Sequence, residues 1–244
     1  MKTLPTNQTG PATAELFVYG TIGSDLFEDG ITAKQVADSL EQLPATVCTI
    51  VVRINSAGGY AHEATAIYNL LKRDPREVRV SIDGLAASAA SVLAMAGDRI
   101  TAAENALLMV HRSQLLTIGN VTDHRKSIEV LTKLDGILVD IYAGRTGGSR
   151  AKWERYIDEE TWFTADEALD VGLVDEVVEG AATATACVDK RAASTWRKLP
   201  PAAERFVIDH REVEEIRDRV RRNQVAARMK RVREDDRRFR HIGR

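Results

Sequence analysis

Hydrophobic residues along the first 180 positions fall into short runs separated by amphipathic stretches. Leu16 to Gly20 (LFVYG) predicts a short strand, and Val47 to Ile54 (VCTIVVRI) is a near-continuous β-branched run that predicts a strand buried on both faces. Between them, Thr32-Ala-Lys-Gln35 has the form of a capping box that opens a helix carrying Val36, Leu40 and Leu43 on one side. Asn55-Ser-Ala-Gly-Gly59 leads into a helix from about Tyr60 to Arg73, which stops before Pro75, and Val78 to Ile82 forms the next strand. The pattern then repeats. Gly84-Leu-Ala enters a small-residue helix from Ala87 to Ala96, and the apolar strand Leu107 to Val110 delivers His111 at its end. Asn120-Val-Thr-Asp123 precedes a long helix with Ile128, Leu131, Leu134, Leu138 and Ile141 on one face, closing near Gly144. Ser149 caps a short helix, Thr164-Ala-Asp-Glu167 is a second capping box, Gly172 suits a helix end, and Leu173 to Val178 is the last strand. Strands alternating with helices indicate an α/β layer fold.

Four regions follow from this pattern. Residues 1–14 are polar with two prolines and read as a flexible arm. Residues 15–180 form the compact domain, 181–202 a linker containing Ala-Ala-Thr-Ala-Thr-Ala and a Pro-Pro break, and 203–244 a charged helical tail with sparse apolar positions.

Composition adds one fact that the pattern hides. The net charge of −2 conceals a body (1–189) with 16 Lys+Arg against 27 Asp+Glu and a tail (190–244) with 18 against 9. An acidic body with a basic tail suggests that the tail touches something anionic: nucleic acid, an acidic partner or a neighbouring subunit. Arg219, Arg221, Arg222, Arg228, Lys230, Arg231 and Arg233 would make that contact; a solvated, salt-bridged helix is the plainer reading. No apolar run approaches the roughly 20 residues of a spanning helix, so no membrane is expected. The opening residues lack the order of a secretion signal, and Cys48 and Cys187 form no CxxC pair. A cytoplasmic protein with no metal site is therefore expected.

Three segments carry candidate chemistry. In Asp83-Gly-Leu-Ala-Ala-Ser88-Ala-Ala-Ser91, a strand feeds a serine through a glycine onto the first turn of a helix, where amides favour developing negative charge. Small neighbours would let an extended peptide approach. The glycines Gly58 and Gly59 expose backbone N–H groups at the carboxyl edge of the sheet, where open α/β folds bind ligands. His111 at a strand tip is the candidate general base, with His62 its rival. Each segment alone also has a structural explanation: a packed serine, a tight turn, a hydrogen-bonded histidine.

Taken in order, the glycine pair, Gly-x-Ala-Ala-Ser, the strand-borne histidine and the Thr-Ala-Asp-Glu-Ala…Gly-Leu-Val-Asp segment resemble the Clp protease proteolytic subunit family, and more closely its phage and prophage head maturation branch. The resemblance runs from about Glu15 to Val178. It implies a crotonase-like superhelix of repeated β-α units, ring oligomers, and the long helix from Val121 to Tyr142 as a protruding handle. It implies Ser88 as nucleophile, His111 as base, and an acid at Glu160, where the family usually has Asp; Asp158 and Glu159 stand beside it as alternatives. The amides of Gly58, Gly59 and Ala89 would hold the oxyanion. The implied activity is a serine endopeptidase that acts on a polypeptide, such as a capsid or scaffold protein, with no cofactor. Ala57 stands where proline is common, and the different N-terminal arm leaves partnership with an unfoldase open. Two other readings remain: an inactive relative serving as an assembly ring, and an acyl-CoA hydratase or isomerase on the same fold. A lysine dyad would have only Lys72 or Lys126 to draw on.

Overall fold

The β-branched run forms a central strand in a computed structural model that describes residues 6–10, 12–24, 30–179, 188–189, 196 and 207–208. This strand, β3 (Thr49–Ser56), lies parallel between β2 (Thr13–Tyr19) and β4 (Glu77–Ala87). β1 (Thr6–Gly10) adds antiparallel to β2, and β5 (Arg99–Ala103) and β8 (Glu176–Val178) extend the far side in parallel, giving the order β1-β2-β3-β4-β5-β8. The helices are α1 (Ala33–Glu41), α2 (Ala61–Arg73), α3 (Ala89–Ala94), α4 (Val121–Thr146), α5 (Arg150–Glu159) and α6 (Ala165–Asp170). A short pair, β9 (Val188–Asp189) with β10 (Val207–Ile208), is parallel.

Even-numbered positions of the central strands are buried: Leu16 and Val18, Ile50, Val52 and Ile54, Val78, Val80 and Ile82. They share one core with Val36 and Leu40 of α1, Ile67 and Leu71 of α2, and Val92 and Leu93 of α3. Each such aliphatic side chain contributes about 1.5–3 kcal/mol relative to exposure. Odd-numbered positions differ. Val51 and Arg53 are only half-buried, so β3 alternates and is not covered on both faces as its composition predicts. The less covered face carries a polar cluster. Asp83 accepts from Tyr19 Oη (2.5 Å), from Arg53 Nε and Nη2 (2.8 and 2.7 Å) and from Ser81 Oγ (3.0 Å).

What places the site is a change of partner along β4. Its first half pairs with β3 and β5, while Leu85–Ala87 pair in parallel with Leu107–Met109 of β6 (Leu107–Val110). β6 in turn pairs antiparallel with β7 (Thr161–Thr164). Three expected boundaries move accordingly. The strand runs through Ala87, so the small-residue helix begins only at Ala89; β8 is confined to Glu176–Val178; and Thr6–Gly10, expected as a loose arm, is a paired strand. For Ala86–Ala87 and for Thr6–Gly10, pairing with a neighbouring strand decides the state.

The capping boxes at Thr32 and Thr164 and the Ser149 cap form as the sequence predicts, and Asn120 with Asp123 makes another. α4 is about 39 Å long at 1.5 Å per residue, and only its C-terminal half is packed, through Asp135, Leu138, Val139 and Tyr142. Its predicted apolar face is thus buried only in part, since Ile128 is exposed along with Val121 and Val130. The linker at 181–202 and the tail at 203–244 lie outside the described residues, apart from residues 188–189, 196 and 207–208.

Candidate active site

Ser88 follows β4 at the N-cap position of α3, with no side-chain capping bond, at φ 54 and ψ −125, a backbone conformation that residues with side chains rarely adopt. Its N–H continues the ladder to Met109 O at 2.9 Å. β6 delivers His111 directly alongside, and His111 Nε2 lies 2.6 Å from Ser88 Oγ. The two residues that the sequence proposes as nucleophile and base are therefore in hydrogen-bond contact. His62 is exposed on α2, with its ring 5.6 Å from that of Tyr60.

The three candidate acids separate by environment. Asp158 is 63% exposed at its side chain and accepts from Arg112 Nε at 2.7 Å; Glu159 is exposed. Glu160 is 2% exposed. It terminates α5 with φ 51, in the left-handed region. In the β6–β7 pairing Met109 faces Trp162 and Val110 faces Thr161; His111 immediately follows this ladder on one strand and Glu160 immediately precedes it on the other. Ser88 and Glu160 are the two non-glycine residues with positive φ among those described. Such strain, on the order of 1–3 kcal/mol each, collects where geometry matters more than local comfort.

The glycine pair is held against the serine. A Cβ on Gly58, which has φ +99, would come within 2.7 Å of Ala87 O, 2.8 Å of Ser88 Cβ and 2.9 Å of Ala89 N, so only glycine fits. The Gly58 N–H donates to Ser56 Oγ at 3.1 Å. Gly59 bridges to Ile22, whose carbonyl would be 2.1 Å from a Cβ there. Ala89 is the first residue of α3, so its N–H has no acceptor within the helix. Of the three amides expected at an oxyanion site, Gly58 is thus committed internally.

Sequence reasoning missed two groups around this centre. Arg112 joins three elements: it pairs with Asp158 of α5, with Asp135 of α4 through Nη1 at 3.0 Å, and its N–H donates to Ile157 O at 3.1 Å. The hydrogen bonds to Asp158 and then Asp135 hold its guanidinium charged above its ordinary range. Ser91 and Tyr142 form the other group, with their oxygens 2.8 Å apart. Burial pushes the Tyr142 phenol well above its usual pKa. The signal for Arg112 was a charge directly after an apolar strand; nothing local marks Tyr142. Among the described residues no cluster of three or more His, Cys, Asp or Glu is placed to hold a metal, and no helix is long and apolar enough to cross a membrane.

Comparison with known proteins matches the family described as Clp protease to residues 18–181, more than half of the sequence. The chain belongs to the Clp protease family. It is 34% identical over 161 residues to ATP-dependent Clp protease proteolytic subunit 1 of Chlamydia abortus, covering 62% of this chain and 84% of that protein. It is 32% identical over 177 residues to ATP-dependent Clp protease proteolytic subunit 3 of Streptomyces coelicolor, covering 70% and 78%. A solved ClpP1 mutant from Listeria monocytogenes shares the fold with a TM-score of 0.60 at 23% identity, over 68% of this chain and 91% of that one. The Clp protease fold expected from the motif order is therefore the fold observed. β1 and the basic tail lie outside the family match.

Proposed function

We propose that this chain is a serine endopeptidase that hydrolyses peptide bonds through an acyl-enzyme on Ser88. The observation that carries the reading is the 2.6 Å contact between His111 Nε2 and Ser88 Oγ. In the proposed mechanism Nε2 accepts the Ser88 proton as Oγ attacks the substrate carbonyl, so the ring proton of the neutral imidazole resides on Nδ1. Glu160, buried at the end of α5 and immediately before β7, orients the ring and balances the imidazolium. The amides of Gly59 and Ala89 receive the oxyanion, and Gly58 serves by packing. The imidazolium then protonates the leaving amine, and water, activated by the same histidine, releases the acyl group. One oxyanion donor of this kind contributes about 3 kcal/mol to the transition state.

The proposed assembly is a homo-oligomeric ring. Leu116 and Ile118 are 92% and 93% exposed in the loop before α4, next to the uncovered Val121 and Ile128, an apolar surface suited to a second copy. The substrate class proposed is a folded-assembly polypeptide such as a capsid or scaffold protein, which rests on the resemblance to the head maturation branch and on a basic tail beyond the family match. A fluorophosphonate carrying a fluorophore tests the chemistry: it should label the protein and should not label Ser88→Ala. Labelling that persists in Ser88→Ala, or fails in the unaltered chain, refutes the nucleophile and leaves the inactive assembly ring as the better reading.

A further inference from the structure

The peptide unit joining Ser88 to Ala89 has an oxygen at one edge and a proposed oxyanion donor at the other. Its oxygen, Ser88 O, accepts from Ser91 N at 3.0 Å and from Ser91 Oγ at 2.7 Å. A hydroxyl has a single proton, and Ser91 spends it on Ser88 O. The 2.8 Å contact between Ser91 Oγ and Tyr142 Oη is therefore donated by Tyr142. The result is a directed chain from Tyr142 O–H to Ser91 O–H to Ser88 C=O.

Both ends of this chain are fixed. Tyr142 is 1% exposed and its ring stacks on Trp153 at 5.1 Å and 25°. Trp153 is itself pinned by its indole N–H, which donates to Thr146 Oγ1 at 2.8 Å. Ser91 is fully buried. At the other end stands a strained backbone, Ser88 at φ 54 and ψ −125. Relaxing ψ there would rotate the following peptide plane. A trans peptide is planar with C=O and N–H on opposite edges, so whatever fixes Ser88 O also fixes the direction of the Ala89 N–H. Successive hydrogen bonds along the chain also polarise that peptide and strengthen its N–H as a donor.

We propose that Tyr142 and Ser91 are positioning residues that aim the Ala89 N–H at the oxyanion by anchoring the Ser88 carbonyl. This rests on Ser88 being the nucleophile, and it adds a requirement that the motif order does not contain: a phenol from α4, 54 residues beyond the serine in sequence. Neither residue touches substrate, so their removal alters the acyl-transfer step and leaves binding alone.

The test is the inactivation kinetics of a fluorophosphonate, whose phosphoryl oxygen occupies the oxyanion position. Tyr142→Phe, Ser91→Ala and the double variant are each compared with the unaltered protein, with reactive sites counted from the labelling endpoint so that misfolded chains drop out. The expected result is a fall in kinact on the order of tenfold in each single variant, as misplacement of a catalytic group costs rate. KI should stay within about twofold, and the double variant should be no slower than the worse single one, because both act through one chain. The pH midpoint of kinact should not move, since His111 is untouched. A kinact per reactive site within about twofold of the unaltered protein in both single variants overturns the proposal while Ser88→Ala, still unlabelled, leaves the hydrolase reading standing. A shifted pH midpoint, or additive losses, also overturns it. Labelling of Ser88→Ala removes the reading on which the proposal rests.

Discussion

Replacing Tyr142 by Phe should make the protein less stable at neutral pH and more stable in strong alkali, and the pH at which the two curves cross can be worked out. The phenol is 1% exposed, and burial raises its pKa well above the ordinary value. In the unfolded chain it releases its proton near pH 10. Below that pH both states hold the proton and the hydroxyl contributes its full hydrogen bond to Ser91, a net of about 1 kcal/mol. Above it the unfolded state binds fewer protons than the folded one, so stability falls with rising pH by about 1.4 kcal/mol per pH unit for this one group. Tyr142→Phe has no such loss. The variant should therefore begin about 1 kcal/mol less stable, gain on the parent above roughly pH 10 and overtake it near pH 11. Tyr19, whose pKa is also raised by burial and then by its hydrogen bond to Asp83, titrates in both proteins and cancels in the difference. Urea denaturation of both proteins at equal concentration, in steps from about pH 8 to pH 11, gives the difference directly, provided the m-values agree. A stability difference that stays constant across that range would refute the reasoning, because it would mean that the phenol ionises equally well folded and unfolded.

Two further outcomes follow from close packing and from buried charge. Gly58→Ala forces a methyl within 2.9 Å of three atoms of the Ala87–Ala89 segment at φ +99; fluorophosphonate labelling should fall below a tenth of the parent rate, with about 1–3 kcal/mol lost in urea unfolding, and near-parental labelling would show the glycine to be dispensable. Asp83→Ala leaves the Arg53 guanidinium and the Tyr19 hydroxyl without their shared acceptor; urea unfolding should show a loss near the lower end of about 3–5 kcal/mol, since Arg53 keeps some contact with water, and a loss under about 1 kcal/mol would show the cluster to be solvated.

The parts of the fold that could be read from sequence are those written in short-range grammar. The three predicted caps at Thr32, Ser149 and Thr164 are local hydrogen-bond patterns, and all form. Strand β3 and the glycine turn after it announce themselves by β-branching and by Gly58-Gly59. Strand β5, with Arg99-Ile-Thr-Ala-Ala103, has little β propensity and is extended because β4 and β8 flank it. β7 is four residues long and exists by pairing with β6. The helix expected from Ala87 begins at Ala89 for a related reason: Ala86 and Ala87 favour a helix, and their pairing with Leu108 and Met109 holds them in a strand. The site follows the same division. Ser88, His111 and the glycines were legible because each sits beside a strong local signal. The motif favours Glu160 among three adjacent acids, and only the fold shows that it is buried while Asp158 is exposed; the Tyr142 contact depended on how α4 lies across α3, which no periodicity encodes.

That division has a consequence for how the candidate site is held. Ser88 and Glu160 both sit in backbone conformations that a free peptide avoids, Ser88 at the end of the β4 pairing and Glu160 between α5 and β7. Ser88 is fixed from four sides: its N–H by Met109, its carbonyl by Ser91, its Cβ by Gly58 and its Oγ by His111. Met109 lies in β6 and His111 directly follows it, so the partner change along β4 that brings β6 alongside sets both the serine's backbone and the proposed base that faces it. Glu160, the proposed acid, immediately precedes β7, which pairs with β6. A single sheet junction thus positions all three groups, and the strain at two of them persists only while that junction is intact. Substitutions that loosen the β4–β6 pairing, such as a proline at Met109 or Leu108, would act on all three together, whereas changes on the exposed half of α4 reach none of them through this route. The geometry of the candidate site is in this sense a property of strand order.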